Sequence, residues 1–375
     1  MVQLENWSGE KENDKNKKTV LVTGATGFLG EYLVRRLVGK YRVLGLGRNV
    51  EKGKKLEELG AIFCQGDFTD RESCQDYFKG VQYVIHGGAR SSVWGKWEDF
   101  YKDNVMGTDL VAKLCFEQGV RRLVYVSSPS IYTAREDRYN IDENEYELCE
   151  NRKSDQVDLN YYIKSKKMAE RIIRQWNERG LETVILRPRG LIGIGDTSLV
   201  PRLLRANRGV GIPLFRDGRN LVDLTCVENA ALACCLAMSA KEASGEIFNI
   251  TNGEPFEFRE LLEGFLKAAG ERPHYRKMPF GLLFWTAAGL EWIYRKFKLP
   301  GEPFLTRYAV CTLGFAQTLN INRARDVLGY KPEKRLKDAV REYGTWWRNG
   351  KKNEQEYRGS VKVRGGMGQK NEACE

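Results

Sequence analysis

Residues 19–30 read T-V-L-V-T-G-A-T-G-F-L-G, and this stretch decides the fold. The apolar run at 20–22 is typical of a buried strand, and residues 32–38 are typical of a helix. Gly24, Gly27 and Gly30 lie between them at three-residue steps. The first glycine permits a tight turn, the second lets a pyrophosphate approach the backbone, and the third lets the helix pack on the strand. This context predicts a dinucleotide site at the helix N-terminus rather than an ordinary strand-to-helix turn.

Short apolar runs alternate with helical stretches through the first half of the chain. The predicted strands are 20–23, 42–47, 61–65, 81–86, 123–127 and 183–187, with one more at 247–250. Helices are predicted notably at 100–118 and 161–179. This alternation predicts an α/β fold of the Rossmann type, with a doubly wound parallel sheet that is covered by helices on both faces.

The same pattern divides the chain into parts. Residues 1–18 are predicted to be a disordered N-terminal segment, and residues 349–375 a disordered polar tail. Residues 19–190 are predicted to form the dinucleotide-binding Rossmann domain, to which residues 221–252 return. Residues 191–220 and 253–348 interrupt the alternation. We expect them to form a smaller C-terminal, substrate-binding cap over the carboxyl ends of the strands.

The bulk composition narrows the class of protein. The 375 residues can bury a full core, and no apolar stretch is long enough to predict a transmembrane helix. The N-terminal segment lacks the apolar centre of a signal peptide, which predicts the cytoplasm. The nine cysteines include no C-x-x-C pair and there are two histidines, so neither disulfides nor a metal site is predicted.

The net charge of +11 would suit nucleic acid, a membrane surface or an acidic ligand, or is no more than solvated surface charge. The sequence has no aromatic–basic pattern of the kind that binds RNA. We therefore predict no nucleic-acid partner.

Tyr162 and Lys166 are four residues apart on a predicted helix, so they share one face. A lysine ammonium beside a phenol favours the phenolate and lowers its pKa, which suits the tyrosine to exchange a proton with a carbonyl or an alcohol. Two further Y-x-x-x-K pairs begin at Tyr294 and Tyr330, but both fall in the predicted cap. Only Tyr162 follows the strand that ends in serines, so we predict it as catalytic rather than as part of a surface helix pair.

Ser127 and Ser128 end the predicted strand 123–127, at the edge where open α/β sheets bind ligands. A hydroxyl group there can hydrogen-bond the substrate oxygen and stabilise its developing charge. The alternative is a serine that caps the turn before Pro129.

Several of these stretches together resemble one known family, the extended short-chain dehydrogenase/reductases, which include the NAD-dependent epimerases and dehydratases. The resemblance covers about residues 19–347. It is carried by T-G-A-T-G-F-L-G at 23–30, G-D-F at 66–68, V-S-S-P-S at 126–130, Y-I-K-S-K at 162–166 and L-R-P-R-G-L-I-G at 186–193.

The resemblance implies roles for individual residues. Ser128 would be the catalytic serine, Tyr162 the general acid/base, and Lys166 the lysine that also holds the nicotinamide ribose. Asn104, in N-V-M-G-T, would be the structural and proton-relay asparagine. Cofactor contacts are expected at Gly24, Thr26, Gly27, Phe28, Leu29, Gly30, Arg48, Asp67, Phe68, Gly88, Ala89, Tyr162, Lys166 and Pro188.

Within that set, Asp67 and Phe68 are implied to contact the adenine, and Gly88 and Ala89 to line the cofactor after the fourth strand. The chain departs from the family's pattern in two places. Residues 86–89 read H-G-G-A, with glycine where the family commonly has alanine, and Glu228 stands where an aspartate is usual. Neither departure removes a catalytic group.

The end of the second predicted strand bears on the choice of cofactor. An acidic residue there would accept a hydrogen bond from the ribose 2′-hydroxyl and repel a 2′-phosphate. This chain has Gly47 followed by Arg48. A small residue leaves room for a phosphate and a guanidinium can bind it, so NADP is predicted, with NAD as the alternative.

Residues 280–294 read F-G-L-L-F-W-T-A-A-G-L-E-W-I-Y, and Arg295, Lys296 and Lys298 follow them. Together with 93–95 and L-T-R-Y-A-V at 305–310, this segment resembles the 3β-hydroxysteroid dehydrogenase branch, which includes bacterial reductases of long-chain 2-alkyl-3-oxoalkanoates. It is expected either to line a pocket for an apolar substrate or to pack as a cap helix on the body. A peripheral contact with a membrane surface is also left open.

These inferences predict an NADP-dependent oxidoreductase that moves a hydride between the nicotinamide and the carbon of a secondary alcohol or ketone. The expected substrate is a small apolar molecule, steroid-like or a long 3-oxoacyl compound, with a 3-hydroxy/3-oxo group. One alternative is a nucleotide-sugar epimerase or dehydratase on the same fold, and another is a non-catalytic NADP-sensing protein. A homodimer is left open.

Overall fold

The computed structural model describes residues 17–145, 158–196 and 198–365, with side chains up to residue 350. The predicted N-terminal segment, 1–18, therefore lies outside the described residues apart from its last two. Within the described residues, no helix is both long and apolar enough to cross a membrane.

A seven-stranded sheet forms the centre of the molecule, in the order β12-β7-β5-β4-β1-β2-β3, and every pairing within it is parallel. The predicted doubly wound α/β fold is thus confirmed. The strand order reverses between β1 and β4, and open α/β sheets bind ligands at the carboxyl ends of such a reversal. The strands are β1 Thr19–Thr23, β2 Arg42–Gly47, β3 Ile62–Gln65, β4 Tyr83–His86, β5 Arg122–Val126, β6 Arg138–Ile141, β7 Thr183–Pro188, β8 Leu191–Ile192, β9 Ile212–Leu214, β10 Leu221–Val222, β11 Thr225–Cys226, β12 Ile247–Ile250, β13 Phe256–Glu257, β14 Tyr275–Lys277 and β15 Gln317–Leu319.

Helices cover both faces of this sheet and build the cap. One stretch that the sequence predicts as a single helix, 100–118, is divided into α4, a π-helical turn at Tyr101–Met106, and α5. The helices are α1 Phe28–Leu37, α2 Val50–Glu58, α3 Arg71–Cys74, α4 Trp97–Phe100, α5 Gly107–Glu117, α6 Tyr161–Glu178, α7 Leu199–Arg208, α8 Val227–Ser239, α9 Phe258–Ala269, α10 Phe280–Lys296, α11 Arg307–Gly314, α12 Asn322–Leu328 and α13 Leu336–Gly365.

The core consists of one apolar layer on each face of the sheet. Successive side chains of a strand point to opposite faces, so Val20 and Val22 pack in one layer and Leu21 in the other. This explains why β1 is apolar at consecutive positions instead of alternating.

The structure moves one boundary of the predicted cap. Residues 321–330 were assigned to it by the pattern, but Ile321, Ala324, Leu328 and Tyr330 pack in the layer against the central sheet. The Tyr330 hydroxyl donates to the Thr251 carbonyl at 3.0 Å, just beyond β12. This segment therefore belongs to the core of the Rossmann domain.

The last helix also differs from the prediction. Helix α13 continues to Gly365, through residues 349–365 for which the sequence predicts a disordered tail. Eight of these residues are lysine, arginine, glutamate or glutamine, which have high helix propensity, but three are glycines, which disfavour a helix. Residues 366–375 of the predicted tail lie outside the described residues.

Candidate active site

The glycine-rich turn joins β1 to α1 at the reversal of the strand order. Helix α1 has Gly27 as its N-cap, without a side-chain capping bond, so the first-turn N–H groups at Phe28 and Leu29 stay available to an anion. A Cβ atom on Gly30 would lie 2.2 Å from the Gly24 carbonyl oxygen, and one on Gly24 would lie 2.7 Å from the Cα of Gly88. Gly24 also has a φ of +68°. This cradle fits a dinucleotide pyrophosphate.

The ends of β2 and β3 form the expected adenosine side of the site. A Cβ atom on Gly47 would lie 2.8 Å from the side chain of Thr26, so glycine is required there. The Arg48 side chain is 69% exposed, and its Nη1 donates to Asp67 Oδ2 at 3.4 Å. Burial opposes ionisation of Asp67, but hydrogen bonds from Thr69 and the nearby guanidinium hold its pKa below the usual range. Because its contact with Asp67 is long, the Arg48 guanidinium could reorient to bind the 2′-phosphate of NADP.

The glycine at position 88, one of the departures from the family's pattern, has a steric reason. A Cβ atom there would lie 2.7 Å from the ring of Phe68. The backbone N–H of Gly88 donates to Thr23 Oγ1 at 3.2 Å. His86 contacts Thr23 and Thr108 through its two ring nitrogens at 2.6 and 3.1 Å, and burial lowers its pKa to about 3. A neutral His86 therefore ties the ends of β1 and β4 together.

Tyr162 lies in the first turn of α6. Asn160 caps this helix by accepting a hydrogen bond from the Ile163 N–H at 2.8 Å, which fixes where the helix begins. Burial raises the pKa of Tyr162 to about 12, a hydrogen bond with Ser128 opposes the rise, and the Tyr308 phenol adds to it. The phenol keeps its proton at neutral pH.

Lys166 follows one helical turn later and is bound to the sheet. Its Nζ donates to the Val126 carbonyl at 2.8 Å and to the Tyr125 hydroxyl at 3.2 Å. Burial lowers the pKa of Lys166 to about 7, and the Glu170 carboxylate opposes this shift. Burial dominates the pKa shift of Tyr162 in this structure, and the Lys166 ammonium is directed to β5. That Lys166 lowers the pKa of Tyr162 stays a prediction.

The two serines after β5 have different surroundings. Ser128 forms the hydrogen bond with Tyr162 and also accepts one from the Ser130 N–H at 3.2 Å, as the cap of a short 3₁₀ helix. Ser128 can therefore cap this turn and also take the predicted catalytic role. Ser127 is buried and donates to the Glu170 carboxylate instead. Of these two serines, only Ser128 lies beside the Tyr162 phenol.

Asn104 lies in the π-helical turn and is buried. Its Oδ1 accepts from the Arg90 N–H at 2.7 Å, and its Nδ2 donates to the Arg90 carbonyl at 3.1 Å and to Ser165 Oγ at 2.9 Å. Ser165 Oγ donates in turn to the Tyr162 carbonyl at 2.8 Å. Asn104 thus connects the loop after β4 to the helix that carries Tyr162. Its part in a proton relay stays a prediction.

A buried ion pair beneath the site was not predicted from the sequence. Arg187, on β7, donates through Nη2 to Glu170 Oε2 at 2.6 Å, and the two side chains are 0% and 1% exposed. Nη1 donates to the Tyr132 hydroxyl and to the Glu143 carbonyl. The signal that could have shown it is the spacing of Tyr162, Lys166 and Glu170 at four-residue steps on one helix face.

The remaining predicted cofactor residues lie around the same edge. Pro188 is the last residue of β7, in register with Ile250 of β12, and Ala89 follows Gly88 after β4. The other departure, Glu228, lies in the first turn of α8, and its Oε2 is buried without a hydrogen-bond partner in the part of the chain that the structure describes.

Helix α10 supplies the cap with one buried face and one exposed face. Its buried residues recur at helical spacing, and Glu291 among them accepts from the Arg307 N–H at 2.7 Å and Nε at 2.8 Å. On the opposite face, Trp285 is 72% exposed and Trp292 is 57% exposed. Phe284 thus packs on the body, whereas more than half of each tryptophan side chain is exposed. That this segment lines a substrate pocket stays a prediction.

Comparison with known proteins agrees with this geometry. The model of the NAD dependent epimerase/dehydratase family matches residues 20–251. A 2-alkyl-3-oxoalkanoate reductase of Stenotrophomonas maltophilia is 34% identical over 328 residues, which are 86% of this chain and 97% of that protein. The decarboxylating sterol-4-alpha-carboxylate 3-dehydrogenase of Schizosaccharomyces pombe is 33% identical over 350 residues, 89% of this chain and 98% of that protein.

The solved structure of MoeE5 in complex with UDP-glucuronic acid and NAD superposes with a TM-score of 0.67 and 24% identity, covering 88% of this chain and 99% of that one. This likeness shows the shared fold. Since the family model matches more than half of the chain and the two relatives align over nearly all of it, the chain belongs to the NAD dependent epimerase/dehydratase family, within the extended short-chain dehydrogenase/reductases.

Proposed function

We propose that the protein is an NADP-dependent oxidoreductase that interconverts a ketone and a secondary alcohol, at the 3-oxo/3-hydroxy group of a bulky apolar substrate. The observation that carries this proposal is the position of the buried Tyr162 phenol, whose pKa Ser128 influences, at the carboxyl edge of the sheet: Tyr162 lies in the first turn of α6 and Ser128 directly after β5. The glycine cradle lies at the same edge, where the strand order reverses.

The chain's own residues can move the proton of this reaction. When bound, the nicotinamide would supply or accept the hydride. Tyr162 holds a proton at neutral pH and can donate it to a carbonyl oxygen, while the Ser128 hydroxyl can hydrogen-bond the same oxygen and orient it. A phenol that keeps its proton can serve as the proton donor when a ketone is reduced.

The relatives support the kind of substrate. One is named for a 2-alkyl-3-oxoalkanoate and the other for a sterol-4-alpha-carboxylate, oxidised at position 3. Each name describes a molecule with a large hydrocarbon part and a carboxylate group, and with the reacting oxygen function at position 3. The exposed Arg48 and the small Gly47 beside it support NADP over NAD.

The proposal is tested by a substrate screen that follows the absorbance of the reduced nicotinamide. Long-chain 3-oxoacyl compounds and 3-oxosteroids are offered beside UDP-sugars, each with NADPH and with NADH. We expect oxidation of NADPH by one of the apolar ketones. Turnover of UDP-sugars without turnover of apolar ketones would establish the epimerase alternative instead.

A further inference from the structure

Arg189 lies directly after β7, at the edge of the sheet that carries the candidate active site. Its backbone is fixed on both sides: the N–H donates to the Ile250 carbonyl at 3.0 Å, and the carbonyl accepts from Thr225 Oγ1 at 2.6 Å. The residue is only 7% exposed. A positively charged side chain is thus buried between the carboxyl ends of the strands and the cap.

The guanidinium of Arg189 has no partner of its own. Within residues 17–145, 158–196 and 198–350, it forms neither a hydrogen bond nor an ion pair. Arg187, two residues earlier, is fully buried but is paired with Glu170 and Tyr132. Burying an unpaired charge is costly, so such a group in a folded protein points to a partner that the chain itself does not provide.

Two groups lie close enough to act on Arg189 electrostatically. Burial lowers the pKa of Arg189, while the Tyr308 phenol and the Asp223 carboxylate oppose that shift. Asp223 accepts from the Leu319 N–H at 2.7 Å through Oδ2, whereas its Oδ1 has no partner among the described residues. Burial raises the pKa of Asp223 to about 6, so the carboxyl group is still largely ionised at neutral pH. It acts on the guanidinium through space, without a hydrogen bond between the two side chains.

The same Tyr308 places Arg189 near the reacting centre. Tyr308 lies on α11 and acts on the pKa of both Tyr162 and Arg189. The Tyr162 phenol and the Arg189 guanidinium are therefore both within electrostatic range of one cap residue. A ligand whose carbonyl oxygen reaches Tyr162 can present a second, anionic group to Arg189.

We propose that Arg189 binds a carboxylate group of the substrate and that the protein selects 3-oxo or 3-hydroxy acids over the corresponding neutral compounds. This inference rests on the proposed function. A guanidinium presents a planar fork of donors that matches a carboxylate with two parallel hydrogen bonds, and the buried setting strengthens that contact. A pyrophosphate is the other anion that such a fork could bind, and the test includes it.

The test compares one substrate in two charge states. A 2-alkyl-3-hydroxyalkanoic acid and its methyl ester are oxidised with NADP⁺ by the wild-type protein and by Arg189→Met, which keeps the length of the side chain and removes the charge. We expect kcat/KM for the acid to fall by about 10- to 100-fold, mainly through KM, because a charge-assisted contact is lost. For the ester, kcat/KM should change by less than about twofold.

Two further variants control the comparison. Arg189→Lys retains the charge without the fork, so it should restore part of the activity on the acid and leave the ester unchanged. If Arg189→Met does not fold, Arg189→Lys tests the proposal by itself. The proposal would be overturned if the ratio of kcat/KM for the acid to kcat/KM for the ester were the same in Arg189→Lys as in the wild-type protein. Arg341→Met removes a guanidinium that is 74% exposed on α13, and it should affect neither substrate.

The outcomes separate this inference from the proposed function. Equal losses on acid and ester in Arg189→Met would make Arg189 a structural residue, while the oxidoreductase function would stand. Wild-type turnover of neutral ketones with no preference for acids would overturn the inference in the same way. If only UDP-sugars are turned over and Arg189→Met weakens their binding, the guanidinium binds a pyrophosphate and both proposals fail.

Discussion

The carboxyl edge of the sheet and helix α10 of the cap differ in which side chains they bury and which they expose. At the sheet edge, several polar side chains are buried, and some of them are paired within the chain, as Arg187 is with Glu170. On α10, large apolar side chains such as Trp285 and Trp292 face outward. The difference indicates that the sheet edge is held by contacts within the chain, which suits a candidate active site. The outer face of α10 leaves large parts of two indole rings exposed, so it can meet another surface.

The sharpest test of the sheet edge is Tyr162→Phe. Removing the hydroxyl removes the proton donor, so turnover should fall by about 10²- to 10⁴-fold while the Kd for NADPH changes little. Steady-state kinetics and a fluorescence titration measure the two quantities. Tyr294→Phe, in a Y-x-x-x-K pair of the cap, is the matched control and should retain its rate. A Tyr162→Phe protein with more than about a tenth of the rate would remove this tyrosine from the mechanism.

Breaking the buried pair tests whether the edge depends on its internal contacts. Arg187→Met leaves the Glu170 carboxylate buried without its partner, which should lower the free energy of unfolding by about 3–5 kcal/mol. The control is Arg36→Met, which breaks a surface pair with Glu333 and should cost about 1 kcal/mol or less. Urea denaturation of both variants gives the comparison. If both variants lose about 1 kcal/mol of unfolding free energy or less, the buried pair does not stabilise the sheet edge.

Cofactor choice is tested at the exposed rim of the same edge. Arg48→Asp, with Gly47 unchanged, replaces the expected 2′-phosphate contact by repulsion, so the ratio of kcat/KM for NADPH to that for NADH should fall by at least about tenfold. Arg48→Gln removes the charge alone and should give an intermediate ratio. An unchanged ratio in a folded Arg48→Asp protein would mean that this arginine does not bind the cofactor.

The smallest effect is expected on the outer face of α10. The Lys296 ammonium lies 4.5 Å from the Trp292 ring centre, and Phe297 beside it is also exposed. Exposed aromatic rings next to basic residues are typical of helices that lie on anionic membranes. Vesicles of phosphatidylcholine with phosphatidylglycerol should therefore sediment the protein, less so at high salt. Trp285→Ser with Trp292→Ser should reduce the bound fraction by at least about threefold.

This double variant should leave the melting temperature and the turnover of a water-soluble substrate unchanged, since both indoles are exposed. Sedimentation that the double variant does not reduce would contradict the membrane contact. A shift from dimer to monomer in size-exclusion chromatography would instead make this face a homodimer contact. Homodimerisation stays a prediction until that measurement.

Several elements could be predicted closely because their signal is local. The predicted strands 42–47 and 247–250 have the bounds of β2 and β12, since each is an apolar run that ends at turn-forming residues. Helix 100–118 was predicted as one element, and the π-helical turn that places Asn104 was not, because one inserted residue hardly changes the helical period. The cap boundary at 321–330 was wrong because an amphipathic helix does not reveal which core it will join.

The sequence by itself determined the Rossmann fold, the glycine cradle, and the pairing of Ser128 with Tyr162 at one edge. These follow from motifs in which the residue types and their spacing carry the chemistry. Only the tertiary structure decided the electrostatics of that edge. Lys166 is bound to β5, burial keeps Tyr162 protonated, and Arg187 is paired, whereas Arg189 has no partner in the described part of the chain. Burial and pairing depend on which distant residues meet, and distance in space is not encoded in local spacing.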